Sequence, residues 1–155
     1  MREAAGANEA MYRFIECTVE QYMTRQVKTV TCDVTLRELE ELFEQHDFNA
    51  FPVVEGGQML GIVTKFDFLR TFAFTTGQLV PHYEELMRRR VVEVMSRTVV
   101  HVEAAGPLTR ALQMMVDLKA RSFPVVGSDG KFTGMISRED IMRALDEATR
   151  LTACR

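Results

Sequence analysis

The chain has 155 residues, 46% of them hydrophobic, which is enough apolar material for one compact domain or two small ones sharing a core and argues against intrinsic disorder. A formal net charge of -3, made from charged residues of both signs, supplies no overall basic field for nucleic acid or anionic lipid. Cys17, Cys32 and Cys154 are odd in number and show neither metal-ligand nor redox spacing, so they read as reduced thiols in a cytoplasmic protein.

Residues 1–18 read as an N-terminal helix that lacks the basic start and unbroken apolar stretch of a signal peptide. Nowhere does an apolar run approach the roughly 18 residues needed to span a bilayer. Beyond this helix the sequence is written twice. Met23 falls on Met95, Val27 on Val99, Val30 on Val102, Leu36 on Leu108, and Phe51, Pro52, Val53, Val54 on Phe123, Pro124, Val125, Val126, at a constant shift of 72. One extra residue in the turn Gly127, Ser128, Asp129, Gly130 raises the shift to 73, after which Gly61 meets Gly134, Thr64 meets Ser137 and Asp67 meets Asp140. The expected organisation is a repeat over 19–72, a linker with its own helix over 73–90, a second repeat over 91–146 and a tail over 147–155. Two copies are too few for a solenoid and pair more naturally about a pseudo-twofold axis.

Each copy opens on a short strand, at residues 28–30 and 101–102. A helix follows. In the first copy Thr35 and Glu38 have the form of a capping box, and Leu36, Leu39, Leu42, Phe43 and His46 recur on one helical face. In the second, Pro107 is expected at the first helical position, ahead of a stripe of Leu108, Ala111, Leu112, Met115 and Leu118. Two strands come next, at 50–54 and 59–63 around a Gly56, Gly57 turn, and at 122–126 and 132–136 in the second copy. A closing helix starts at Thr64 or Ser137 and carries Phe66, Phe68, Leu69 and Phe72, or Ile141, Met142 and Leu145. Between the copies, residues 81–94 read as one helix; its Arg88, Arg89 and Arg90 are a solvated face with no assigned role. The fold class is α+β, with the order strand, helix, strand, strand, helix in each copy.

This order, the duplication, and the segments Gly61, Ile62, Val63, Thr64, Lys65, Phe66, Asp67 and Gly134, Met135, Ile136, Ser137, Arg138, Glu139, Asp140 resemble the CBS domain family over residues 19–145. The resemblance implies a stand-alone pair, often called a Bateman module, in which two repeats enclose clefts that hold AMP, ADP, ATP or S-adenosylmethionine. It also implies a homodimer that reports energy or methyl-donor state by a change in repeat or dimer geometry. Either the chain acts on a separate effector protein, or the terminal helices around residues 10–17 and 146–151 transmit the change across the dimer. The alternative is a ligand-free dimerisation scaffold.

Asp67 and Asp140 are the residues expected to bind nucleotide first, since an ionised carboxylate can accept hydrogen bonds from both hydroxyls of a ribose. A purely structural role stands beside this one. Thr64 and Ser137 suit an N-cap, and an acid three residues on completes a cap and favours the positive end of the helix dipole. Both roles can hold together. Lys65 and Arg138 follow as cations within reach of a phosphate, against a simple solvated role for Lys65. The resemblance adds Asn49 and Arg121, three residues before each strand proline; arginine can neutralise phosphate charge whereas asparagine only hydrogen-bonds it, so the second-copy site with Arg121 is expected to be the tighter for phosphate. Ala50, Phe51 and Pro52, with Ser122, Phe123 and Pro124, begin the strand expected to line an adenine slot; small Ala50 and Ser122 leave room for a ring, while Phe51 and Phe123 suit the core.

No nucleophile with a base, phosphate-cradling glycine loop or metal-ligand cluster accompanies these residues, so no enzyme, cofactor or metal site is expected. His46 belongs to the apolar helix face, and His82 and His101 have no partner spacing for a metal.

Overall fold

The computed structural model describes residues 2–73 and 82–153. Two compact units emerge, one made from the chain before Lys28 together with the chain after Val99, the other being Lys28–Val99. The boundary cuts into each repeat: residues 19–27 pack with the second copy, and 91–99 with the first.

In the Lys28–Val99 unit, α3 (Leu36–Gln45) starts at the expected box, with the Glu38 amide donating to Thr35 Oγ1 at 3.3 Å and the Thr35 amide to the Glu38 carboxylate at 2.8 Å. Strands β1 (Ala50–Glu55) and β2 (Gln58–Thr64) form an antiparallel hairpin, bulged between Val53 and Val54. Its turn places Gly56 and Gly57 at φ 57° and 79°, left-handed conformations that glycine adopts without a side-chain clash. Helix α4 (Lys65–Arg70) follows β2 directly. Leu36, Leu39, Phe51, Val53, Val63, Met87 and Val91 form the core.

The other unit holds α1 (Arg2–Ile15), α2 (Val19–Tyr22), β3 (Val102–Glu103), α7 (Leu108–Leu118), β4 (Ser122–Val126), β5 (Phe132–Ser137) and α8 (Arg138–Ala153). Strand β3 runs parallel to β4, and β4 antiparallel to β5, with a bulge between Val125 and Val126 that repeats the one in the first copy. Helices α1 and α8 pack together, and Phe14, Val19, Leu108, Ala111, Val125, Ile136 and Ala144 are among the core residues.

Several expectations shift. The strand at residues 28–30 reduces to one parallel bridge, Val30 to Val53, in the place where β3 pairs with β4. The helix expected over 81–94 is two, α5 (Tyr83–Met87) and α6 (Val91–Val94), while Pro81 and Gly77 lie outside the described residues. The break occurs because this backbone is spent on pairing: Leu36 N–H donates to Arg89 O at 2.9 Å, and Val91 N–H to Val34 O at 2.8 Å. Pro107 is the N-cap of α7 and not its first residue, since its neighbours exchange the matching bonds Leu108 N–H to Cys17 O and Val19 N–H to Gly106 O, both 2.9 Å. Leu118, from the expected apolar stripe, is exposed, as are Phe66, Leu69 and Met142. Residues 147–153 continue α8.

The motif glycines have a steric cause. Ser96 bridges Ile62 and Thr24 bridges Met135, so the segment leading each repeat lies against the hairpin of the other copy. A side-chain carbon on Gly61 would stand 2.5 Å from the Ser96 carbonyl oxygen, and one on Gly134 would collide with that of Thr24. Both glycines are required by the close approach of another backbone.

Candidate functional site

Among the described residues, Asp67 and Asp140 are the only buried charged side chains, at 5% and 4% exposure. An uncompensated buried carboxylate is costly, so its hydrogen bonds have to be accounted for. At Asp67, Oδ2 accepts from the Thr64 amide at 2.9 Å and from Thr64 Oγ1 at 2.8 Å, while the Asp67 amide donates back to Thr64 Oγ1 at 3.0 Å. Asp140 repeats this: its Oδ2 accepts from the Ser137 amide and hydroxyl, both at 2.9 Å, and its amide returns a 3.3 Å bond to Ser137 Oγ. Each acid also sits in the first turn of its helix, where the backbone dipole favours negative charge.

The remaining oxygens are also occupied. Arg70 Nη2 donates to Asp67 Oδ1 at 3.1 Å and Arg143 Nη2 to Asp140 Oδ1 at 3.2 Å, from guanidinium-bearing side chains that are more than half exposed. Sequence reasoning missed both arginines, although the signal was present: each stands three residues after its acid, again at a shift of 73. The Thr64 and Ser137 hydroxyls give their protons to these acids and keep only acceptor capacity for anything else.

The surroundings separate the two copies. Asn49 O accepts from the Lys65 amide at 2.9 Å and Arg121 O from the Arg138 amide at 3.0 Å, so both residues lie beside the capped acids. Their side chains are exposed and make no hydrogen bond among the described residues. Lys65 Nζ stands 5.7 Å from the centre of the Phe43 ring, a cation–π contact. Arg138 is engaged in holding the fold, since its guanidinium donates to Ala120 O at 2.9 Å and Lys119 O at 3.3 Å. These bonds fasten the end of α7, where Lys119 adopts the left-handed φ of 53°. Phe51, Pro52, Phe123 and Pro124 are buried in the strands, whereas Ala50 is half-buried and Ser122 exposed.

Arg143 has further partners on α2. Its Nη2 donates to Tyr22 O at 2.7 Å, and its guanidinium carbon stands 5.8 Å from the Tyr22 ring centre. The Tyr22 hydroxyl donates to Glu147 at 2.9 Å; burial first, and then this bond, push its pKa up to about 12. Elsewhere, burial and the Glu55 carboxylate raise the Cys32 thiol, and the Thr31 hydroxyl lowers Asp33. Among the described residues no three His, Cys, Asp or Glu gather into a metal-binding group, and no helix is long and apolar enough to cross a membrane.

The family model described as CBS domain matches residues 19–73 and 85–147. The CBS domain-containing protein YhcV of Bacillus subtilis is 33% identical over 125 residues, covering 80% of this chain and 82% of its own length. Two other curated relatives, from Methanocaldococcus jannaschii, are longer, and the chain spans about half of their length, 46% and 45%. Among solved structures, CBSX2 of Arabidopsis thaliana in complex with AMP aligns at a TM-score of 0.70 and 23% identity, over 89% of this chain and 98% of that one. The CBS domain pair of protein MJ0100, in complex with 5'-methylthioadenosine and S-adenosyl-L-methionine, aligns at 0.64 and 20% identity, over 84% and 97%.

Proposed function

The chain belongs to the CBS domain family, and on that premise we propose that it is a regulatory module, not an enzyme, that binds an adenosine nucleotide: AMP, ADP or ATP ahead of S-adenosylmethionine. The observation that supports this reading is the buried carboxylate at each copy's helix start, an acceptor suited to ribose hydroxyls, flanked by an exposed polar or cationic side chain at Asn49 or Arg121. Adenosine is the moiety common to the ligands of CBSX2 and MJ0100. In this reading Asp67 and Asp140 hold ribose, Arg121 and Lys65 face phosphate, and Ala50 and Ser122 border adenine. Arg138 meets phosphate only by leaving the end of α7. Regulation follows from differential affinity of the ligand for two states of the module, relayed across a homodimer or to an effector protein in the cytoplasm.

Thermal denaturation against AMP, ADP, ATP and S-adenosylmethionine tests the proposal. A ligand at a hundredfold excess over its Kd should add about 2.7 kcal/mol of apparent stability. Asp67→Ala and Asp140→Ala should each abolish one site in calorimetry.

A dimerisation scaffold without ligand is the second reading. It is favoured by one specific observation, that both oxygens of each acid are already engaged within the chain. No shift with any of the four compounds selects it.

A further inference from the structure

Resting on the nucleotide reading above, we propose that Arg143 is a positioning residue that closes Asp140 against one of the two ribose hydroxyls until its guanidinium moves aside. A carboxylate offers about four acceptor sites. At Asp140 three are spent, two on the Ser137 cap and one on Arg143. One acceptor position remains, whereas a ribose diol brings two donors. Both hydroxyls are held only when Arg143 withdraws, because giving up the cap bonds would leave the Ser137 amide and hydroxyl without acceptors beside a buried acid.

The geometry around Arg143 suits a movable group. The same Nη2 serves Asp140 and the Tyr22 carbonyl, with the shorter bond, 2.7 against 3.2 Å, to the carbonyl. The guanidinium can therefore turn off the acid while keeping its anchor on α2. It lines an open groove of about 570 Å³ together with Tyr22 and Glu147, where a second carboxylate can receive its charge. Arg70 lacks this arrangement: its guanidinium donates only to Asp67 and lies 5.9 Å from the exposed Phe66 ring. Occupation of Asp140 is thus coupled to α2, and occupation of Asp67 is not.

The test isolates the second copy in an Asp67→Asn background, whose amide oxygen can still accept the cap, and measures adenosine, 2'-deoxyadenosine and 3'-deoxyadenosine by calorimetry. With Arg143 in place, at least one deoxyadenosine should bind within about threefold of adenosine, because a single free acceptor serves either remaining hydroxyl. Arg143→Met keeps the stem against Tyr22 and removes the donor. Both deoxyadenosines should then bind about tenfold more weakly than adenosine, each having lost a hydrogen bond to a charged acceptor. A structural role for Arg143 would change affinities together and leave these ratios alone. Equal ratios in the two proteins, or a tenfold loss for both deoxyadenosines with Arg143 present, overturn the gate and spare the nucleotide reading; the second result needs no Arg143 variant to fold. Absence of adenosine binding in the protein that retains Arg143 overturns that reading and the gate with it.

Discussion

Around Asp67 the two cap bonds run 2.9 and 2.8 Å, and around Asp140 both run 2.9 Å, whereas just outside these bonds the two copies part. Arg121 stands where the first copy has Asn49, Arg143 is tied to the Tyr22 backbone while Arg70 lies beside a phenylalanine ring, and Arg138 clamps a helix end while Lys65 covers Phe43. The division follows burial. A buried acid, the hydroxyl that caps it and the glycine under a crossing backbone cannot change without leaving a polar group unsatisfied or two atoms in collision, so both copies retain them. Exposed residues bear no such penalty, and it is there that the copies can acquire different ligand preferences or different outputs.

The equivalence of the cores can be broken first at Leu36 and Leu108, which are both fully buried at the start of equivalent helices. Leu36→Ala and Leu108→Ala should each cost about 2–5 kcal/mol in denaturant unfolding, and a large inequality between them would separate the units energetically. Next come the glycines. Gly61→Ala and Gly134→Ala should each lower stability by about 1–3 kcal/mol, because the nearest atom to each added carbon is a backbone carbonyl oxygen, which cannot turn aside as a side-chain end can. Unchanged melting for either would show that the crossing segment can retreat.

The exposed difference is sharpened by exchanging it. Arg121→Asn should weaken AMP binding about tenfold at the second-copy site while leaving adenosine nearly unchanged, and Asn49→Arg should strengthen AMP at the first, both read by calorimetry. Equal losses for AMP and adenosine would remove phosphate from the account. The smallest effect belongs to Tyr22, whose equivalent in the second copy is Val94. Its folded pKa of about 12 lies above the ordinary 10.0, so the neutral phenol contributes stability fully below about pH 10, and that contribution is lost as pH rises towards 12. An ultraviolet titration should show one tyrosine ionising late, and Tyr22→Phe should delete that step.

Much of this arrangement was legible in the chain itself. The duplication follows from a shift of 72 and then 73 that can be read along the whole sequence, and the Thr35 box, both hairpins and the Thr64 and Ser137 helix starts follow from local spacing, because caps, turns and alternation involve residues only two to four positions apart. The opening strand of the first copy and the unbroken helix over 81–94 failed for the opposite reason. Their backbone hydrogen bonds go to Pro52 and Val54, or to Val34 and Leu36, partners distant in sequence.

The candidate site divides in the same way. Asp67, Asp140 and their caps could be named from the sequence, since an acid three residues after Thr or Ser closes on its own helix. That Arg70 and Arg143 take the remaining oxygens, that Arg138 is spent on α7, and that Arg143 reaches the carbonyl of Tyr22, distant in sequence, only the tertiary structure decided. A long side chain with many rotamers carries no record in its own neighbourhood of which acceptor it will meet; packing chooses among them.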